Sequence, residues 1–168
     1  MAINSKFKML VLSHDGAHDD QLQKIYDLNQ ANTPEVGSLE SVDYLHKLIE
    51  LSAYNLLVLK GDEVIGFIIC MREGSAYGSE NYKFFSRKLK KFLYVDRVAI
   101  KKNYRREGLG KAIYDDIFNE AKIENLPIAL EVNTEPVNQP SLNFHEKMGF
   151  DQIGAKEFAD HSVAYFIK

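Results

Sequence analysis

A chain of 168 residues has the size of one domain, and 45% hydrophobic side chains suffice for a substantial core. Acidic residues outnumber basic ones by 24 to 21, a formal charge of −3 that argues against nucleic-acid binding with its usual basic excess. The longest apolar run, VIGFIICM at 64–71, falls far short of the roughly 20 residues of a membrane span, and the one cysteine, Cys70, excludes an internal disulfide framework.

The first residues also lack the apolar stretch of a signal peptide. The expectation is a single domain over residues 1–168 in the reducing cytoplasm, with neither a membrane nor a nucleic acid as partner. FKMLVLS (7–13) reads as a strand, and DDQLQKIYDLNQ (19–30) as a helix with acidic residues in its first turn. NTPEVGS breaks it, and Ser38 is placed to cap a second helix over 39–51, with Leu39, Val42, Leu45, Leu48 and Ile49 as its apolar stripe. YNLLVLK and EVIGFIICMR, joined by Gly61-Asp62, predict a hairpin. Residues 73–90 mix aromatic and basic side chains and fit either a binding loop or a short helix with a solvated basic face. FLYVDRVAI (92–100) predicts a strand, KAIYDDIFNEAKIEN (111–125) a helix, and PIALEV (127–132) a strand parallel to 92–100, because a helix links the two. QPSLNFHEKM (139–148) predicts a short helix ended by Gly149, and FDQIGAKEF and SVAYFIK a closing antiparallel pair. This order gives an α/β fold with a mixed sheet flanked by helices.

The chemistry concentrates at YRREGLGKA (104–112), where a strand passes into a helix. Helix starts leave backbone N–H groups unpaired and favour anions, Gly108 and Gly110 permit close approach, and Arg105 and Arg106 can add contacts to phosphate oxygens. A nucleotide-triphosphate loop needs G-x-x-x-x-G-K-[ST], but Arg105 replaces its first glycine and Ala112 its hydroxyl residue. A dinucleotide fingerprint needs G-x-G-x-x-G/A, and Ile113 stands at its last position. A plain turn with solvated arginines is the other reading.

The wider stretch RVAIKKNYRREGLGKAIYDDIF resembles the acyl-CoA-binding motif of the GCN5-related N-acetyltransferases, [QR]-x-x-G-x-[GA] opening a helix after a strand, with Arg105, Gly108 and Gly110 at the fixed positions. NQPSLNFHEKMGF (138–150) resembles that family's second signature, N-x-x-[AS]-x-x-x-Y-x-K-x-G-F, through Asn138, Ser141, Lys147, Gly149 and Phe150. The resemblance covers roughly residues 92–150. It implies a mostly antiparallel sheet with one splayed parallel pair, acetyl-CoA as co-substrate, no metal, a small-molecule or peptide amine as acceptor, and dimers as a common assembly. Carried over, the backbone of Val98 and Ile100 would hold the pantetheine arm, and the N–H groups of Arg106, Gly108, Leu109, Gly110 and Lys111 its pyrophosphate. Asn138 would bind the arm from the other side, a role compatible with capping a helix.

Acetyl transfer to an amine sets three requirements. An aliphatic amine with a pKa of about 10 has only about one molecule in a thousand uncharged at pH 7, so a base helps. The oxyanion needs a donor, for which the N–H of Val98 or Ala99 is a candidate. The departing thiolate benefits from a proton, and the tyrosine that supplies it in many relatives is replaced here by His145. Candidate bases are Asp96, assigned by alternation to the same strand face as Val98, Glu131 in an otherwise apolar strand, and Tyr94, near the position of a catalytic glutamate in some relatives. A salt bridge or a core tyrosine is the competing role for each; the competing functions are a non-catalytic acyl-CoA-binding or sensory module and an acyltransferase with another acyl donor or acceptor. SHDGAHDD (13–20) carries an H-x-x-x-H spacing, but its glycine and its place before a helix favour capping over metal binding.

Overall fold

The computed structural model describes residues 6–13 and 18–168. The sheet strands are β1 (Lys8–Val11), β2 (Tyr54–Lys60), β3 (Glu63–Arg72), β4 (Leu93–Ile100), β5 (Ile128–Glu135), β6 (Asp151–Glu157) and β7 (Ser162–Ile167). The helices are α1 (Asp19–Gln30), α2 (Val42–Leu51), α3 (Glu80–Lys88), α4 (Leu109–Ile123) and α5 (Gln139–Lys147). The strands form one sheet in the order β1-β2-β3-β4-β5-β7-β6, antiparallel except for the parallel pair β4–β5.

Period-two alternation sends the two faces of the central strands into separate cores. On one face Phe67, Ile69, Met71, Tyr94 and Tyr165 pack against Leu22 and Ile25 of α1, Leu45 and Ile49 of α2, and Tyr82 and Phe85 of α3. On the other, Ile68, Cys70, Val95 and Leu130 pack against Leu109, Ile113, Tyr114 and Ile117 of α4. Cys70 is a buried thiol, raised by desolvation, in that second core.

Two boundaries move from their expected places. Ser41, not Ser38, caps α2, its Oγ accepting from the Tyr44 N–H at 3.1 Å, while the Ser38 hydroxyl accepts from Gln30 Nε2. Leu39 is still buried, but as part of the connection rather than of the helix. The segment 73–90 splits into a loop and α3, whose Tyr82 and Phe85 face the core while Lys83, Arg87 and Lys88 face solvent. Among the described residues no helix is long and apolar enough to cross a membrane, and no three His, Cys, Asp or Glu side chains are grouped to hold a metal. His14 and Asp15 of the discounted metal motif lie outside the described residues.

Candidate active site

The parallel pair is short. β4 and β5 are joined only at Leu93–Ile128 and Tyr94–Ala129, after which the strands diverge. Exposure follows the divergence: residues 92–95 are buried, whereas Asp96, Arg97, Val98 and Ile100 on β4 and Glu131 and Asn133 on β5 are half-buried. The result is a wedge open to solvent at the C-terminal ends of both strands.

Backbone direction along β4 follows from its pairing with β3. The Lys101 N–H donates to the Ile65 carbonyl at 2.8 Å, and the register places Ala99 opposite Phe67 and Ile100 opposite Gly66. Hydrogen-bonded and non-hydrogen-bonded pairs alternate in an antiparallel ladder. Ala99 and Lys101 therefore turn their peptide groups to β3, and Val98 and Ile100 turn theirs to the wedge. Of the two candidate oxyanion donors, the Ala99 N–H is thus committed to the sheet.

A bulge lies just upstream. Arg97 pairs with Ile69 and Val95 with the adjacent Cys70, leaving Asp96 as the extra residue on β4. It reverses the alternation, so Asp96 and Arg97 both lie on the α1 side, opposite Val98. The shared face expected for Asp96 and Val98 is corrected by this. The Asp96 carboxylate accepts from the Tyr77 hydroxyl at 2.5 Å and from Arg97 Nε at 2.9 Å, and its side chain is 4% exposed. Arg97 Nη1 donates onward to Asn29 Oδ1 at the end of α1 and to the Gly37 carbonyl before α2.

Glu131 stands on β5, the neighbouring strand of the wedge, and faces the same side of the sheet as this pair. The Tyr94 hydroxyl reaches its two carboxylate oxygens at 2.7 and 2.9 Å, and Asn81 Nδ2 donates to it at 3.3 Å. Asn81 is held by the Tyr165 hydroxyl at 2.8 Å. Burial, reinforced by the Asp96 charge, pushes the Glu131 carboxyl up to about 8 against the pull of the Tyr94 and Asn81 hydrogen bonds. Burial and the Glu131 charge raise the Tyr94 phenol well above its usual range, so it stays protonated and serves as a donor.

On the far face, the loop after β4 delivers α4 to the wedge. Arg106 (φ 63°) and Gly108 (φ 82°) adopt left-handed backbone, and Gly108 caps the helix without a side chain. The first bond within the helix runs from the Ala112 N–H to the Gly108 carbonyl, so the N–H groups of Leu109, Gly110 and Lys111 precede the intrahelical ladder. A Cβ at Gly110 would lie 3.3 Å from the Phe144 ring and 3.6 Å from Ile100 Cδ1, which explains the need for a small residue. Arg105 turns away from the helix start: its Nε donates to the Ile100 carbonyl at 3.3 Å, and its Nη2 donates to Asn32. Arg106 is exposed beside the free N–H groups. Asn138 caps α5, its Oδ1 accepting from the Ser141 N–H at 3.3 Å.

His145 lies inside the second core rather than at a surface, 4% exposed. Its Nδ1 faces the Ser141 carbonyl at 2.8 Å, an acceptor, so Nδ1 carries the proton. Nε2 then accepts from the Tyr114 hydroxyl at 2.7 Å. Burial lowers the imidazole pKa, partly offset by the Ser141 carbonyl, and keeps the ring neutral near pH 7. The structure thus brings Tyr94, Glu131 and Asp96 to one side of the wedge and Val98, Ile100 and the α4 start to its opening and far face, while Asn138 caps α5, which packs on α4 through Phe144 and Gly110. Sequence reasoning missed Tyr77, Asn81 and Arg97, which hold the carboxylates; the charge of Arg97 beside Asp96 in an apolar strand was the available signal.

The model of the acetyltransferase (GNAT) family matches residues 22–150. No curated protein matches. Similar solved structures include Arabidopsis thaliana NAA60 in complex with acetyl-CoA, 14% identical, with TM-score 0.73 over 96% of this chain and 97% of the other. Another is Arabidopsis thaliana Naa50 in complex with the bisubstrate analogue CoA-Ac-MVNAL, 19% identical, TM-score 0.71, covering 97% and 98%. A third is the ribosomal-protein-S18-alanine N-acetyltransferase of Escherichia coli, 14% identical, TM-score 0.67, covering 95% and 92%. At these identities the likeness establishes a shared fold.

Proposed function

Because the chain belongs to the GNAT family of acetyltransferases, we propose that it moves an acetyl group from acetyl-CoA to a primary amine. One observation carries the reading: a desolvated carboxyl, Glu131, stands at a wedge whose other wall begins a helix with free N–H groups. The residues fit the co-substrate. The peptide groups of Val98 and Ile100 offer a strand-like edge to the amides of the pantetheine arm, and the N–H groups of Leu109, Gly110 and Lys111 suit a pyrophosphate. Asn138 stands at the start of α5, the helix packed on α4.

Glu131 acts as the base. Its carboxyl at about 8 lies far closer to an amine than an ordinary carboxylate does, which narrows the gap for taking the ammonium proton. Tyr94 and Asn81 orient it, and Asp96, tied to Tyr77 and Arg97, serves to hold the acceptor side together. A peptide amine is the first acceptor class to test, since the similar Naa50 structure holds CoA joined to the peptide MVNAL. His145 offers no free proton to a leaving thiolate, which keeps a binding module without turnover as the second reading.

The test is release of CoA thiol from acetyl-CoA with peptides of varied N-terminal residue, free amino acids and polyamines. An enzyme releases thiol only when a suitable amine is present; binding of acetyl-CoA with no release across the panel supports the module. With an accepted amine, kcat/KM rises with pH and breaks near pH 8, and Glu131→Gln lowers turnover roughly 10²–10⁴-fold and moves that break to the ionisation of the amine itself. Unchanged turnover in Glu131→Gln eliminates Glu131 as the base.

A further inference from the structure

Two contacts, one helical turn apart on α4, join it to α5. Phe144 lies against Gly110, and His145 Nε2 takes the Tyr114 hydroxyl at 2.7 Å. Aromatic rings enclose the second contact: Tyr114 is edge-on to Phe144, His145 and Phe150, with centroids 5.2, 5.3 and 6.0 Å away. Tyr114 is 1% exposed and His145 4%, so the hydrogen bond is dry. His145 is locked at its other nitrogen by the Ser141 carbonyl, within the helix that Asn138 opens. The chain Tyr114–His145–Ser141 therefore runs from the body of α4 to the first turn of α5. These helices carry the free N–H groups of Leu109–Lys111 and the side chain of Asn138.

We propose that Tyr114 and His145 are paired positioning residues that fix the spacing of α4 and α5, and through it the affinity of the cleft for coenzyme A, rather than donors of a proton to the departing thiolate. The proposal rests on the acetyl-CoA reading above. A buried hydrogen bond is directional where the surrounding aromatic contacts are not, so it sets the register of one helix on the other. Removing one partner leaves the other unpaired in an apolar enclosure, a cost met by separating the helices or admitting water. Both outcomes disturb the cleft without touching Glu131.

The probe is CoA itself, titrated calorimetrically into the full chain without any acceptor. Tyr114→Phe is expected to raise the Kd for CoA about tenfold, while kcat at saturating acetyl-CoA stays within about twofold. His145→Leu behaves likewise, and His145→Gln, which keeps an acceptor for the phenol and a donor for the Ser141 carbonyl, restores most of the affinity. A cooperative melt for each variant shows that the fold survives. A fall in kcat of about 10²-fold or more with Kd unchanged makes the pair an acid and overturns the proposal. A lower Tm with both Kd and kcat unchanged makes it mere packing, and also overturns it. If the parent chain binds CoA but acetylates nothing, the transfer reading fails while the positioning role is still measured by Kd; if it does not bind CoA, both fail.

Discussion

At Gly108 an added Cβ would meet nothing within 4 Å, so only the backbone angle of +82° resists a side chain. Gly108→Ala is expected to cost about 1–2 kcal/mol, read as a lower urea midpoint, because the left-handed region penalises any L residue. At Gly110 the backbone is helical and the obstacle is the Phe144 ring at 3.3 Å. Gly110→Val pushes α5 outward and is expected to raise the KM for acetyl-CoA several-fold more than Gly108→Ala does. A KM unaffected by Gly110→Val would show that the helix contact is irrelevant to the cleft. Both glycines were legible from the sequence because their demands are local: a turn and a helix start within a few residues. His145 was not legible in the same way. Its place in the second signature was plain, but its environment is made by Tyr114 on another helix, and no local pattern encodes that the two rings meet.

The element that decides the acceptor side is the bulge in β4. By moving Asp96 and Arg97 to the same face it creates a buried ion pair, with side chains 4% and 9% exposed. Arg97 also binds Asn29 and Gly37, so one guanidinium ties the sheet to the end of α1 and to the connection that follows it. Arg97→Ala leaves Asp96 charged and buried and is expected to cost about 3–5 kcal/mol in denaturant unfolding. If the loss is under about 1 kcal/mol, the pair is not a structural tie. Alternation within VDRVAI put Asp96 beside Val98 because the bulge is defined by the partner strand β3, not by β4 alone. The segment 73–90 was ambiguous for a related reason. Its aromatic residues Tyr82 and Phe85 fall on one helical face, but Lys83 between them and Arg87 and Lys88 after them mask the period until the sheet supplies the surface they cover.

For the whole molecule, the raised Glu131 carboxyl links stability to pH. The folded state holds its proton up to about pH 8, whereas a carboxyl in the unfolded chain loses it near the ordinary value of 4.5. Between those two values the native state binds more protons, so the contribution of Glu131 falls as pH rises, by at most about 1.4 kcal/mol per pH unit. Glu131→Gln removes that slope. Its unfolding free energy relative to the parent chain is expected to improve steadily from pH 5 to pH 8, even as turnover is lost; a pH-independent difference would mean that the carboxyl is not desolvated. At this scale the sequence was most informative. Strand and helix order, the parallel pair and the sheet's mixed character follow from periodicity and from the length of the connection through α4, which depend on many residues and tolerate local errors.

The two residue pairs joining β4 to β5 have a thermodynamic consequence. Four strands lie on one side of that seam and three on the other, each set held together by long antiparallel ladders. The seam is therefore where cooperativity between the two halves is thinnest, and the helices bridging it carry much of the coupling. A molecule lodged between Val98 and the start of α5 adds contacts to both halves at once. Its binding energy then acts as a cross-link: amides on either side of the seam exchange with solvent at a common, slower rate, and two loosely coupled blades unfold as one body.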